Sequence, residues 1–252
     1  MSNERIILCG EDFSKNIASN QNAGPLFLCG PNRNVNLRIS GISNRMVANI
    51  PPTLIDLLEI AAYVYCADQA ATRGGDGVQN FGANWRRQFQ FQIPVREPEI
   101  WSSEPVLSSL RDTLGFLSGT NYEFIFRKLV NPPSLSQYLD YWPGGAFGFS
   151  AEEIILFSGG LDSLAGIVQD TVVDKRKAAL ISHRTSPQIP QGQKKLLEDL
   201  QKRHGAQAFH IPVWVNKDNA SGRGEYTSRT GIFLQASLAA VMARIFDLWR
   251  IR

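Results

Sequence analysis

The residues best suited to chemistry lie in "EEIILFSGGLDSLAGIVQD", residues 152–170. A short apolar run leaves through Ser158-Gly159-Gly160 and enters a helical pattern at Leu161-Asp162-Ser163. Two glycines at such a junction let a ligand approach the backbone closely. Backbone N–H groups, two serine hydroxyls and the positive end of a helix dipole are the ingredients of a phosphate cradle. A carboxylate at position 162 opposes bare phosphate, and makes better sense with Mg²⁺ between the two. The run is neither GxxxxGK[ST], since no lysine follows the glycines, nor GxGxxG. The bland alternative is a glycine-rich βα turn with no ligand. The full SGGxDS combination after an apolar strand favours the phosphate site.

The elements that must position this loop are legible on both sides of it. From about residue 151 to 252 the pattern alternates strand and helix. The strands are "EIILFS", "AALISH" and "QAFHIPVWV"; the helices are 161–171, "QGQKKLLEDLQKRHG" and "TGIFLQASLAAVMARIFDLW". Continuous apolar strands between amphipathic helices predict a parallel sheet with helices on its faces. Ligands in such sheets sit beyond the carboxyl ends of the strands, where the motif falls.

Residues 1–150 read as a mixed α+β domain, with a boundary near 150. "RIILCGE", "PLFLC" and "NVNLRIS" predict short strands. "PPTLIDLLEIAAYVYCADQAATRGG" predicts a helix capped at Thr53, with Asp56 in its first turn and Gly74-Gly75 ending it. In "WRRQFQFQIPVREPEIW", Trp85, Arg87, Phe89, Phe91, Ile93 and Val95 share one face of a strand, opposite Arg86, Gln88, Gln90 and Gln92. "VLSSLRDTLGFLSG" predicts a helix and "NYEFIFRKLV" a strand.

Composition narrows the function classes. A net charge of +3 over 252 residues lacks the dense Lys/Arg footprint of a nucleic-acid binder. Cys9, Cys29 and Cys66 have no CxxC spacing, so they read as buried thiols rather than a zinc cluster. No run approaches the roughly 20 apolar residues that span a bilayer, and the start "MSNERIILCGED" is no signal peptide. The expectation is a soluble, cytoplasmic protein.

"LFSGGLDSLAG" resembles the PP-loop of the ATP-pyrophosphatase, or adenine-nucleotide α-hydrolase, superfamily. "TSRTGIFLQASLAAVMA", residues 227–243, is similar to the GRN-x-x-FLS-x-A helix start of 7-cyano-7-deazaguanine synthases of the QueC type. Arg229 falls on the family arginine, Thr230 replaces its asparagine, and Phe233-Leu234 stand at matching places. The long region ahead of the loop looks more like the QueC-like proteins of antiphage systems, the Qat and type IV CBASS kind. The fold this implies is an α+β extension (1–150) followed by a Rossmann-like PP-loop domain (151–252).

The resemblance implies roles. Ser158, Gly159, Gly160, Leu161, Asp162 and Ser163 hold the phosphates of ATP that leave as pyrophosphate, with Mg²⁺ on Asp162. Ser182, His183 and Arg184, at the end of the second strand, meet the adenosine half. His183 divides evenly between that role and an ordinary hydrogen-bonded strand end, and Arg184 suits a phosphate. Arg229 at a helix start works against the dipole, which points to a ligand anion and a catalytic role. Lys217, Arg223 and Glu225 either close over the nucleotide or are solvated. Lys194, Lys195, Lys202 and Arg203 form an ordinary charged helix face.

The implied reaction is adenylation of a carboxylate such as 7-carboxy-7-deazaguanine. The acceptor is ammonia, giving an amide on the way to a nitrile, or an amine on a partner protein of the defence system. The alternative is a nucleotide-binding scaffold subunit of a defence complex. The family's zinc has no cysteine cluster here, because none follows Cys66. A PP-loop sheet has about five strands and the sequence shows three before "FDLWRIR", so the expectation is a domain cut short or completed by another chain.

Overall fold

The structure, a computed structural model, describes residues 4–10, 25–44, 46–47, 49–71, 86–140, 149–186, 191–218 and 229–252. The chain divides into two compact units, and neither is one continuous stretch. The first comprises residues 1–36, 56–133 and 216–234; the second comprises 37–55, 134–215 and 235–252.

The first unit is built on a three-stranded parallel sheet. Its order is β1 (Glu4–Leu8), β3 (Gln88–Val95), β4 (Asn121–Lys128), in register from Glu4 opposite Gln88 and from Gln88 opposite Asn121. The alternation of β3 holds. Phe89, Phe91, Ile93 and Val95 are buried, and Tyr122, Phe124 and Phe126 of β4 join them in a ladder of stacked rings. Arg87 lies on that buried side too, its guanidinium paired with Asp68 and also donating to the Ala71 carbonyl at 2.5 Å. Parallel strands need a crossover, and between β3 and β4 it is α2 (Pro98–Trp101) and α3 (Glu104–Ser118).

The helix α1 (Pro52–Ala70) starts one residue before Thr53, so Thr53 is inside the helix and does not cap it. Gly74 and Gly75 lie outside the described residues. Asp56 is used differently from a first-turn helix acid. It accepts from the backbone N–H of Arg96 (2.9 and 3.0 Å) and of Glu97 (3.0 Å), from the Arg96 guanidinium (2.9 Å) and from the Trp101 indole (3.1 Å). Glu59 accepts from the same Nη1 at 2.9 Å and from Nη2 at 2.8 Å. These buried charges are paired and hydrogen-bonded, as burial demands.

The second unit carries a five-stranded mixed sheet in the order β5-β2-β8-β7-β6. Its strands are β2 (Val35–Ser40), β5 (Leu139–Asp140), β6 (Glu153–Leu156), β7 (Ala178–Arg184) and β8 (Ala208–Lys217). β6, β7 and β8 run parallel, as the strand–helix rhythm predicts. β2 runs against β8: Asn36 reaches Asn216 at 2.8 Å, while Gly41 at the other end lies against Phe209 and His210.

The sheet therefore has two more strands than residues 151–252 supply. β2 and β5 come from residues before 150, so the chain passes between units several times where the sequence reading places one boundary. The free side of β6 is met by the last residues: Ile154 N donates to the Arg250 carbonyl and Leu156 N to that of Arg252. Arg252 grips buried Asp170 with both contacts at 2.6 Å.

Helices α4 (Leu161–Ile167, continued by a wider turn over Val168–Val173) and α5 (Gln191–His204) cover one face of this sheet. Ile155, Phe157, Leu180, Ile167, Leu197 and Leu200 form the core between them. The last helix is α6 (Gly231–Ile245). Among the described residues no helix is long and apolar enough to cross a membrane.

Candidate functional site

β6 brings the motif to the carboxyl end of the sheet and releases it abruptly. Phe157 is buried and its N–H still donates to the Ile181 carbonyl at 2.7 Å, whereas residues 158–162 are exposed. Gly159 sits at φ +83°, a region open to glycine and strained for other residues. Gly160 returns to extended backbone as the N-cap of α4. The two serines hold the bend. Ser158 Oγ accepts from Gly160 N at 3.2 Å, Ser163 Oγ donates to the Gly160 carbonyl at 3.0 Å, and the hydroxyls are 3.1 Å apart.

The bend is open, not plugged. Leu161, the bulkiest member, is 79 % exposed and turns outward. Asp162 is exposed in the first turn of α4. The leading N–H groups of a helix lack intrahelical acceptors, so a phosphate here meets donors, two hydroxyls and one carboxylate able to share Mg²⁺. The exposed hydroxyls and carboxylate suit both groups, and a Cβ at position 159 would stand 3.1 Å from the Gln193 side chain. Zinc finds no comparable support. Cys9 and Cys66 are buried, burial pushes both thiols up, and the described residues hold no cluster of three His, Cys, Asp or Glu suited to a metal.

The end of β7 lies in the adjoining strand, and its three residues have partners within the sheet. Ser182 is buried and shares a 2.6 Å hydrogen bond with Nε2 of His210. The ring of His183 bonds the Val215 carbonyl at 3.0 Å, and burial lowers its basicity. Arg184 is buried and donates to Ser40 Oγ and to the Ser186 carbonyl, each at 3.3 Å, with Asp140 at 3.9 Å. His210 is driven down to about 4, first by burial and then by the charge of Arg184. It is neutral at physiological pH.

Arg229 is exposed ahead of α6 and belongs to the first unit, whereas the loop belongs to the second. Its neighbour Thr230 is fully buried, and both its N–H and its hydroxyl donate to Asp68. Lys217 is half-buried at the end of β8; Arg223 and Glu225 lie outside the described residues. Lys194, Lys195, Lys202 and Arg203 are exposed on α5, the last two paired with Glu198 and Asp199.

Sequence reasoning missed Gln193, His210 and Trp214. Gln193 is buried in the first turn of a strongly charged helix, and its Nε2 donates to the Ser158 carbonyl at 3.2 Å. The signal was one uncharged polar residue beside Leu197 and Leu200 at helical spacing. His210 and Trp214 share a strand face with Ala208 and Pro212, and period-two reading of "AFHIPVWV" would have grouped them.

No family model, curated protein or solved structure matches this chain.

Proposed function

We propose that this chain is an ATP-dependent adenylating enzyme of the PP-loop, QueC-like kind. One observation carries the reading: an exposed strand-to-helix bend with left-handed Gly159 at its centre and Ser158 and Ser163 clasping it. Glycine takes this backbone without steric strain and lets a ligand approach the main chain closely.

In this reading the loop grips the β- and γ-phosphates. A carboxylate oxygen attacks the α-phosphorus, the bond from that phosphorus to the bridging oxygen breaks, and pyrophosphate leaves with the electron pair. An acyl adenylate results, and an amine or ammonia then displaces AMP. Asp162 would hold Mg²⁺, whose charge offsets that of the departing pyrophosphate. The protein's contribution is positioning, and no side chain needs to act as nucleophile. The acid would be a deazaguanine carboxylate and the setting antiphage defence, with ammonia or a partner-protein amine as acceptor.

A second reading is a nucleotide-binding scaffold subunit. It is favoured by the internal bonding of Ser182, His183 and Arg184, which ties these strand-end side chains to the sheet's own groups. Pyrophosphate release with ATP, Mg²⁺ and candidate carboxylates separates the two. Release that requires the acid and vanishes in Asp162→Ala supports the enzyme. ATP binding with no release under any of these conditions supports the scaffold.

A further inference from the structure

Arg184 and Trp214 are register partners in the parallel pair β7–β8, so their side chains leave the same face of the sheet about 4.8 Å apart. It is the face that also carries Leu180, Ser182 and His210, under α4 and α5. Among the described residues, two N–H donors here have no acceptor and are closed off from solvent: Nε of Arg184 and Nε1 of Trp214. Buried donors are almost always paired, and an exception calls for a cause.

The rest of the bonding around Arg184 is slack. Its contacts to Ser40 Oγ and to the Ser186 carbonyl are both 3.3 Å, and its nearest carboxylate among the described residues, Asp140, is 3.9 Å away and 39 % exposed. A guanidinium only 7 % exposed is thus neither fully hydrogen-bonded nor closely neutralised. Burial lowers its basicity, and its charge in turn disfavours protonation of His210.

The missing group must accept and not donate, must be anionic, and must be small in charge, because Asp140 already offsets part of the guanidinium. A carboxylate meets all three conditions. The Nε edge of arginine matches its two oxygens side by side, a geometry lysine lacks. The half-buried indole adds a flat apolar wall, which suits a planar ring attached to that carboxylate.

We propose that Arg184 and Trp214 form the receiving site for the carboxylate of an aromatic or heteroaromatic acid. Its identification as the acid to be activated rests on the adenylation reading above; the binding itself does not, and it is measured without nucleotide. Ser182 and His210, neutral and bonded to each other, border the site without adding charge.

The test uses the full chain and the indole N–H signals of its five tryptophans, with Trp214 assigned by its absence in Trp214→Phe. Benzoate is the probe, with benzamide as its uncharged counterpart and inorganic phosphate as the competing anion. The expected result is a saturable downfield movement of the Trp214 signal with benzoate and none with benzamide. By calorimetry, Trp214→Phe keeps the ring, removes the donor and weakens benzoate binding. Arg184→Gln weakens it about tenfold or more, and Arg184→Lys, which keeps the charge without the fork, fails to restore it. Thermal melting of each variant shows that the fold is retained; should Arg184→Gln not fold, Trp214→Phe carries the comparison. A Trp214 signal indifferent to benzoate, or one moved equally by benzamide or phosphate, overturns the proposal. Benzoate binding without ATP binding would sink the loop reading alone, and the reverse would sink this one alone.

Discussion

Gln193 lies directly against Gly159. Its amide nitrogen donates to the neighbouring Ser158 carbonyl at 3.2 Å, and a Cβ at residue 159 would stand 3.1 Å from both its Cγ and its Nε2. One position thus combines a left-handed backbone, at φ +83°, with a packed neighbour on the side where a side chain would go.

Gly159→Ala should accordingly be harmed twice. Strain at this φ costs about 1–2 kcal/mol of stability, and relief requires Gln193 or the bend to move. Thermal melting should report the first effect, and calorimetric titration with ATP and Mg²⁺ should report loss of binding. An alanine variant that binds ATP as tightly as the native chain would contradict the assigned role of the bend.

Asp162→Ala separates binding chemistry from stability. Asp162 is exposed in the first turn of α4, and substitutions at such surface positions stay within about 0.5 kcal/mol. The expected outcome is an unchanged melting temperature together with loss of Mg²⁺-dependent pyrophosphate release.

Asp56→Ala should be among the most damaging changes in the first unit. It strips an acceptor from two backbone N–H groups, from Trp101 and from the buried guanidinium of Arg96. Breaking a buried charge pair by removing one partner costs about 3–5 kcal/mol. Denaturant titration measures it, and a loss below 1 kcal/mol would show that the network is looser than its distances imply.

His210 gives stability a defined pH dependence. Its folded-state value is about 4, against an ordinary value of 6.5, through burial and the charge of Arg184. Above 6.5 neither the folded nor the unfolded chain protonates it, so its contribution is whole. As pH falls from 6.5 toward 4 the unfolded chain takes up the proton first, and stability drains by on the order of 2–3 kcal/mol. Melting curves across that window should flatten in His210→Gln.

The sequence by itself determined what local pattern can determine. The period-two alternation of "QFQFQIPV" set the inner face of β3, Phe89, Phe91, Ile93 and Val95, since a strand face is fixed by residue parity, although Pro94 of the other face is buried too. The strand-to-helix rhythm around Ser158–Ser163 placed the bend at the carboxyl end of a parallel strand, and the glycines marked where unusual backbone was needed. Tertiary structure alone decided the partners. β2 and β5 join the sheet of β6–β8 although a hundred residues separate Ser40 from Asp140, because strand pairing is long-range and leaves no local signature. Asp56 became an acceptor for Arg96, Glu97 and Trp101, and Gln193 the neighbour of Gly159, for the same reason. Side-chain type says what a residue can bond, and only the fold says what it meets.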